Sequence, residues 1–130
     1  MKRLLDTNAY VALKRNHEGV ASLVRESSEL VFSIVVVGEL LFGFRNGARY
    51  ERNAKELDEF LADPRVGLLP VTRATADRFG RIASALRKSG KPIPGNDIWI
   101  AAHAFESGAE LVTFDDHFEA VPGLVLAHLS

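Results

Sequence analysis

Cysteine is absent from the 130-residue sequence, which removes disulfides, thiolate catalysis and cysteine-ligated zinc and fits a reducing cytoplasm. Long apolar runs are scarce as well. The longest uncharged apolar stretch, Leu30 to Gly38, is about nine residues, far short of the roughly 20 that span a bilayer. Only Leu4 and Leu5 separate Lys2 and Arg3 from Asp6, so a signal-peptide core is missing. These absences predict a soluble cytoplasmic protein with no membrane partner. There are no repeats, low-complexity tracts or Pro/Gly/Ser linkers, and one domain over residues 1–130 is expected. Basic residues are missing from the last third. All sixteen Lys and Arg fall in residues 1–91 with eleven acids, a balance of +5, whereas residues 92–130 carry six acids and no Lys or Arg, a balance of −6. A basic surface beside an acidic pocket would produce this asymmetry, as would chance in a small domain.

What is present is a 47% hydrophobic chain, enough for a core without staples. Its first informative stretch is Leu4-Leu5-Asp6-Thr7-Asn8, an apolar run stopped by an acid and two small polar residues. Such a run reads as a buried strand delivering Asp6 at its carboxyl end, where open α/β sheets bind ligands. Capping of a helix that starts near Ala9 is the competing reading for Asp6 or Asn8.

Helical pieces are expected from Ala9 to Arg15 and from Glu18 to Arg25, then a strand at Leu30–Ser33. Ile34 to Phe44 is ambiguous by propensity: Val35, Val36 and Val37 favour strand, and Glu39-Leu-Leu-Phe favours helix. Ser33 as N-cap and Asn46-Gly47 as stop signal argue for helix. Glu39 is the only charge between Leu30 and Phe44. It is either a carboxylate needing a partner or metal, or the polar edge of a half-exposed helix. Tyr50, Ala54, Leu57 and Leu61 stripe the next helix, which Asp63-Pro64 ends, and Val66 to Val71 makes a third strand. Thr72 caps a long helix with Ala76, Phe79, Ala83 and Leu86 inward, closing at Gly90. The stiff segment 91–97 leads to a helix opened by Asn96 or Asp97 and ended by Gly108. Strands at Glu110–Phe114 and Leu124–Ala127 follow. Helices joining successive strands imply a mostly parallel sheet of about five strands covered on both faces, an α/β class fold.

In such a sheet, strand ends and the starts of following helices share one edge. Asp6, Glu39, Asp97 and Asp115 can therefore converge, although Asp97 alone is an ordinary cap and Asp115 an ordinary turn acid. Crowded carboxylates raise one another's pKa, and a divalent cation relieves the repulsion. All-oxygen ligands suit Mg²⁺ or Mn²⁺.

These residues carry a resemblance. Leu-Leu-Asp6-Thr-Asn8, Gly-Glu39-Leu-Leu-Phe-Gly43, Gly-Asn96-Asp97-Ile-Trp-Ile-Ala-Ala102 and Leu-Val-Thr113-Phe-Asp115-Asp-His-Phe118 resemble the four motifs of the PIN-domain family, closest to its VapC-like toxin ribonucleases. The likeness runs from Met1 to about Val125. It implies a three-layer α/β/α sandwich, Mg²⁺- or Mn²⁺-dependent endoribonuclease activity giving 5′-phosphate and 3′-hydroxyl ends, a homodimer, an RNA substrate and a cognate antitoxin. By position, Asp6 and Asp97 resemble the principal metal ligands, with Glu39 and Asp115 completing the quartet. Thr7, Asn8, Asn96 and Thr113 match supporting positions. Many relatives have a polar residue where this chain has Phe114. Asp115 is preferred to Asp116 as the fourth acid because it lies nearer the strand end.

Arg45, Arg49, Arg52, Lys14 and Arg15 are candidate RNA contacts, each also readable as a solvated surface charge. His103 is expected on a helix face and His117 in a loop, neither as the catalytic base. The surface around Phe42, Phe44 and Tyr50 is a candidate antitoxin seat. Three other readings compete: a receiver-type signalling domain, which resembles a design with a lysine on the last strand that this chain lacks; a non-catalytic interaction module; and a metal-dependent DNA nuclease.

Overall fold

The computed structural model describes residues 1–129. Strand β1 (Lys2–Leu5) is followed by helices α1 (Thr7–Lys14) and α2 (Glu18–Glu26), and β2 (Glu29–Ser33) by α3 (Ile34–Arg45) and α4 (Tyr50–Leu61). Then come β3 (Val66–Leu69), α5 (Arg73–Lys88), α6 (Gly95–Ser107), β4 (Glu110–Thr113), a 3₁₀ turn (Asp116–Ala120) and β5 (Leu126–His128). All five strands are parallel, in the order β3-β2-β1-β4-β5. The α/β class with a covered parallel sheet is thus as expected.

Burial explains the strand sequences. β1, β2 and β4 occupy the centre, and Leu4, Leu5, Phe32, Leu111 and Val112 are fully buried, as strands covered on both faces require. The edge strands β3 and β5 are partly exposed. Successive residues of β2 show the two layers. Phe32 meets Tyr10 of α1 and Phe60 of α4 edge-to-face, at 5.5 Å each. The next residue, Ser33, meets His103 of α6 at 2.8 Å on the opposite face. His103 is buried, and its Nε2 lies 3.0 Å from the Pro70 carbonyl, which can only accept. The ring proton therefore sits on Nε2, and Nδ1 accepts from Ser33. Ser33 Oγ in turn caps α3 by accepting from Val35 N, which settles the ambiguous Ile34–Phe44 segment as helix.

Several boundaries differ from the sequence reading. β3 stops at Leu69 because Pro70 has no ladder N–H. β5 begins at Leu126 rather than Leu124. α6 opens at Gly95 after Pro94 with no side-chain cap, so neither Asn96 nor Asp97 caps it. In α5 Leu86 is buried and Phe79 and Ala83 are half-buried against the core as read, Thr75 and Ile82 are buried as well, and Ala76 faces outward. α3 and α5 do end at Asn46-Gly47 and near Gly90, and Gly108 takes a left-handed φ of 68°.

Strand order reverses between β1 and β4. β2 and β3 lie beyond β1, β5 lies beyond β4, and connections from the two central strands diverge, leaving a crevice at their carboxyl ends.

Candidate active site

A cleft of about 530 Å³ opens at that crevice, lined by Asp6, Thr7, Asn8, Glu39, Asn96, Asp97, Asp115 and His117, with Pro94, Gly95 and Ile100. Each acid arrives by a different route. Asp6 follows β1 and caps α1. Its Oδ1 accepts from Ala9 N at 2.9 Å and its Oδ2 from Thr113 Oγ1 at 2.5 Å. Capping and cleft-lining are therefore one arrangement, and carboxylate lone pairs remain after both bonds. Glu39 projects from α3. Thr7 Oγ1 donates to its Oε1 at 2.6 Å and Asn96 Nδ2 to its Oε2 at 3.2 Å. Asp97 lies in the first turn of α6, where the helix dipole favours a negative charge. Asp115 follows β4. Its backbone N–H donates to Thr113 Oγ1 at 2.9 Å, and its Oδ1 accepts from His117 N at 2.8 Å.

Of the supporting residues, Thr7, Asn96 and Thr113 thus hydrogen-bond to acids or position them. Asn8 lines the cleft exposed, with no side-chain hydrogen bond among the described residues. Asp116 points away, 81% exposed and 2.9 Å from His128, so of the two adjacent acids Asp115 faces the cleft.

Crowding and burial act on these carboxyls. Burial, more than any other effect, pushes Asp6 up to about 6; the Thr113 and Ala9 donors oppose it, and the Asp97 and Asp115 charges add to it. Asp97 is also raised, chiefly by burial, against the His117 hydrogen bond and with Asp115 and Glu39 reinforcing. Among the described residues none of the four acids has a lysine or arginine partner. The His117 ring lies among them, its Nδ1 3.2 Å from both Asp97 Oδ2 and Asp115 Oδ1. Asp97, Asp115 and His117 bring donor atoms within 4.8 Å of one another. His117 is the residue that sequence reasoning undervalued. The 3₁₀ turn capped by Asp115 carries its ring back over the cleft, and Asp-Asp-His directly after a strand was the available signal.

The basic candidates divide. Lys14, Arg15, Arg49 and Arg52 line a neighbouring cleft with Phe44. Arg45 instead lies over the Tyr50 ring, 4.0 Å from its centroid, and donates to its hydroxyl at 3.2 Å. Phe42 is 71% exposed.

The PIN domain family model matches residues 3–124. The chain belongs to the PIN-domain family. Among PIN-domain relatives, Ribonuclease VapC2 of Haemophilus influenzae is 36% identical over 115 residues, covering 87% of this chain and 86% of the relative. The structure of VapBC-1 from nontypeable Haemophilus influenzae superimposes with a TM-score of 0.85 at 29% identity, covering 98% of each chain. VapBC-5 of Mycobacterium tuberculosis, a member of the VapBC family of toxin-antitoxin systems, gives a TM-score of 0.71 at 26% identity and 98% coverage of both. The PIN-like α/β/α sandwich is therefore shared with VapBC structures. Among the described residues no helix is long and apolar enough to cross a membrane.

Proposed function

We propose that this PIN-domain protein is a metal-dependent endoribonuclease, the toxin of a toxin–antitoxin pair whose antitoxin restrains its inhibition of translation. The observation that carries the reading is four carboxylates converging at the switch point with no lysine or arginine partner among the described residues. Relatives named as ribonucleases and VapBC neighbours support the substrate class and the antitoxin partner. A homodimer in the cytoplasm belongs to the same proposal.

The donor set fits a hard divalent cation. It is mostly carboxylate oxygen, and buried Asp6 gains most from a compensating positive charge. Asp6, Asp97 and Asp115, with Glu39 across the cleft, would hold Mg²⁺ or Mn²⁺. When bound, the ion supplies charge for the phosphodiester and lowers the pKa of a water. The remaining chemistry belongs to the chain. Thr113 and Ala9 fix both oxygens of Asp6, so its orientation does not depend on substrate. Thr7 and Asn96 clamp Glu39, which leaves it positioned to orient the attacking water and take its proton. His117 bridges Asp97 and Asp115, holding the two carboxylates in register.

The test is RNA cleavage by the purified chain with Mg²⁺ or Mn²⁺, with EDTA, and with Asp6→Asn or Asp97→Asn. Cleavage that needs metal and disappears in both variants supports the proposal. Variants that cleave like the parent would overturn it.

A further inference from the structure

A second cleft of about 570 Å³ adjoins the first, and the two share Thr7 and Glu39. Residues of α1, α3 and α4 form its walls, with Tyr10 among them. Tyr10 is 2% exposed, packed edge-to-face against Phe32 and Phe60 with centroids 5.5 and 5.3 Å away. Its hydroxyl is the single buried side-chain polar atom among the described residues with no hydrogen-bond partner. A buried hydroxyl without an acceptor is costly, and an incoming acceptor removes that cost. Burial, assisted by the Glu56 charge, pushes this phenol up to about 12, so it remains a donor.

The rest of the cleft is chemically divided. Leu40 and Phe44 supply an apolar wall, and Asn53 offers an amide beside it. Lys14, Arg15 and Arg49 supply positive charge and have no carboxylate partner among the described residues, while Arg52 is shared with Glu56 at 3.2 Å. An apolar face for a ring, polar groups for its edge and cations outside suit a nucleotide better than an apolar peptide.

We infer that this second cleft seats the nucleotide next to the scissile phosphate, with its base against Tyr10 and Phe44 and its flanking phosphates near Lys14, Arg15 and Arg49. Tyr10 donates to a base or sugar acceptor and acts as a binding residue. The inference rests on the ribonuclease reading and names where that substrate lies.

Tyr10→Phe removes one oxygen that has no partner in the free chain, so the variant folds with an unchanged or higher Tm. Binding of a fluorescein-labelled eight-nucleotide RNA of mixed sequence is then measured with Mg²⁺ on the Asp97→Asn background. The expected result is a Kd about three- to tenfold higher with Tyr10→Phe, and a salt slope lower by about 1 with Arg49→Ala. On the active chain KM rises by the same factor and kcat holds. An affinity unchanged by Tyr10→Phe, or no RNA binding at all, overturns the inference, whatever the variant does to a protein partner. RNA that binds through Tyr10 but is never cut leaves this subsite standing and sinks the nuclease reading.

Discussion

Replacing Asp6 by asparagine probes the cleft without any substrate. Burial holds this carboxyl at about 6 against an ordinary 3.8, so between those values the folded chain keeps a proton that the unfolded chain has released. Stability that is fully present below pH 3.8 is lost as pH rises through about 6. The step from 3.8 to about 6 corresponds to about 3 kcal/mol, of which about 2 kcal/mol develops between about pH 4.5 and about pH 7.5. Asp6→Asn removes that loss at every pH. It also forces the Thr113 hydroxyl to reorganise, at about 1 kcal/mol. In EDTA the variant should therefore match the parent near pH 4.5 and exceed it by about 2 kcal/mol near pH 7.5. Urea unfolding at both pH values measures the gap. With Mg²⁺ the order reverses, because a cation bound to the folded parent stabilises it by mass action. A gap that does not change with pH would refute the electrostatic account of the site.

Thr113→Val removes the donor to Asp6 and the acceptor for Asp115 N. Metal affinity, followed by titration calorimetry, should fall by about 10- to 100-fold, as losing such outer contacts typically does. Arg3→Ala strands Glu110, its partner at 2.8 Å, and abandons Ser27 and the Leu23 carbonyl. Thermal unfolding should show a loss of about 3 kcal/mol, with RNA cleavage per folded molecule unchanged. His103→Ala leaves Ser33 and Pro70 without their shared ring, and should cost about 2–3 kcal/mol in urea unfolding while kcat holds.

The parts of the fold legible in the sequence were those with strong local chemistry. Leu4-Leu5 ending at Asp6 read as a buried strand because a strand covered on both faces must be apolar throughout, and Asp6 does follow β1. Ser33 and Thr72 read as caps and are caps. In α5 Phe79, Ala83 and Leu86 face inward as read, but Ala76 does not, because alanine signals burial weakly, and Thr75 was missed because it does not look apolar. Its hydroxyl is satisfied within the capping box with Thr72, which lets the residue sit at 0% exposure. Phe60 was overlooked because its role depends on Tyr10 and Phe32, far away in sequence. His117 belongs to the same class. Its position depends on a 3₁₀ turn that periodicity does not reveal. The four acids were legible as a set because the sheet's parallel topology brings strand ends to one edge, whatever each acid does locally.

The hydrogen bond from Thr113 to Asp6 joins residues 107 apart in sequence. β1 leaves the ribosome well before its neighbour β4, and the crevice between them does not exist until β4 has docked. On the nuclease reading, a nascent or truncated chain ending before residue 110 lacks the β4 wall of its cleft. On that reading the cleft's chemistry begins only when β4 docks beside β1, and that docking is the first moment at which restraint is needed.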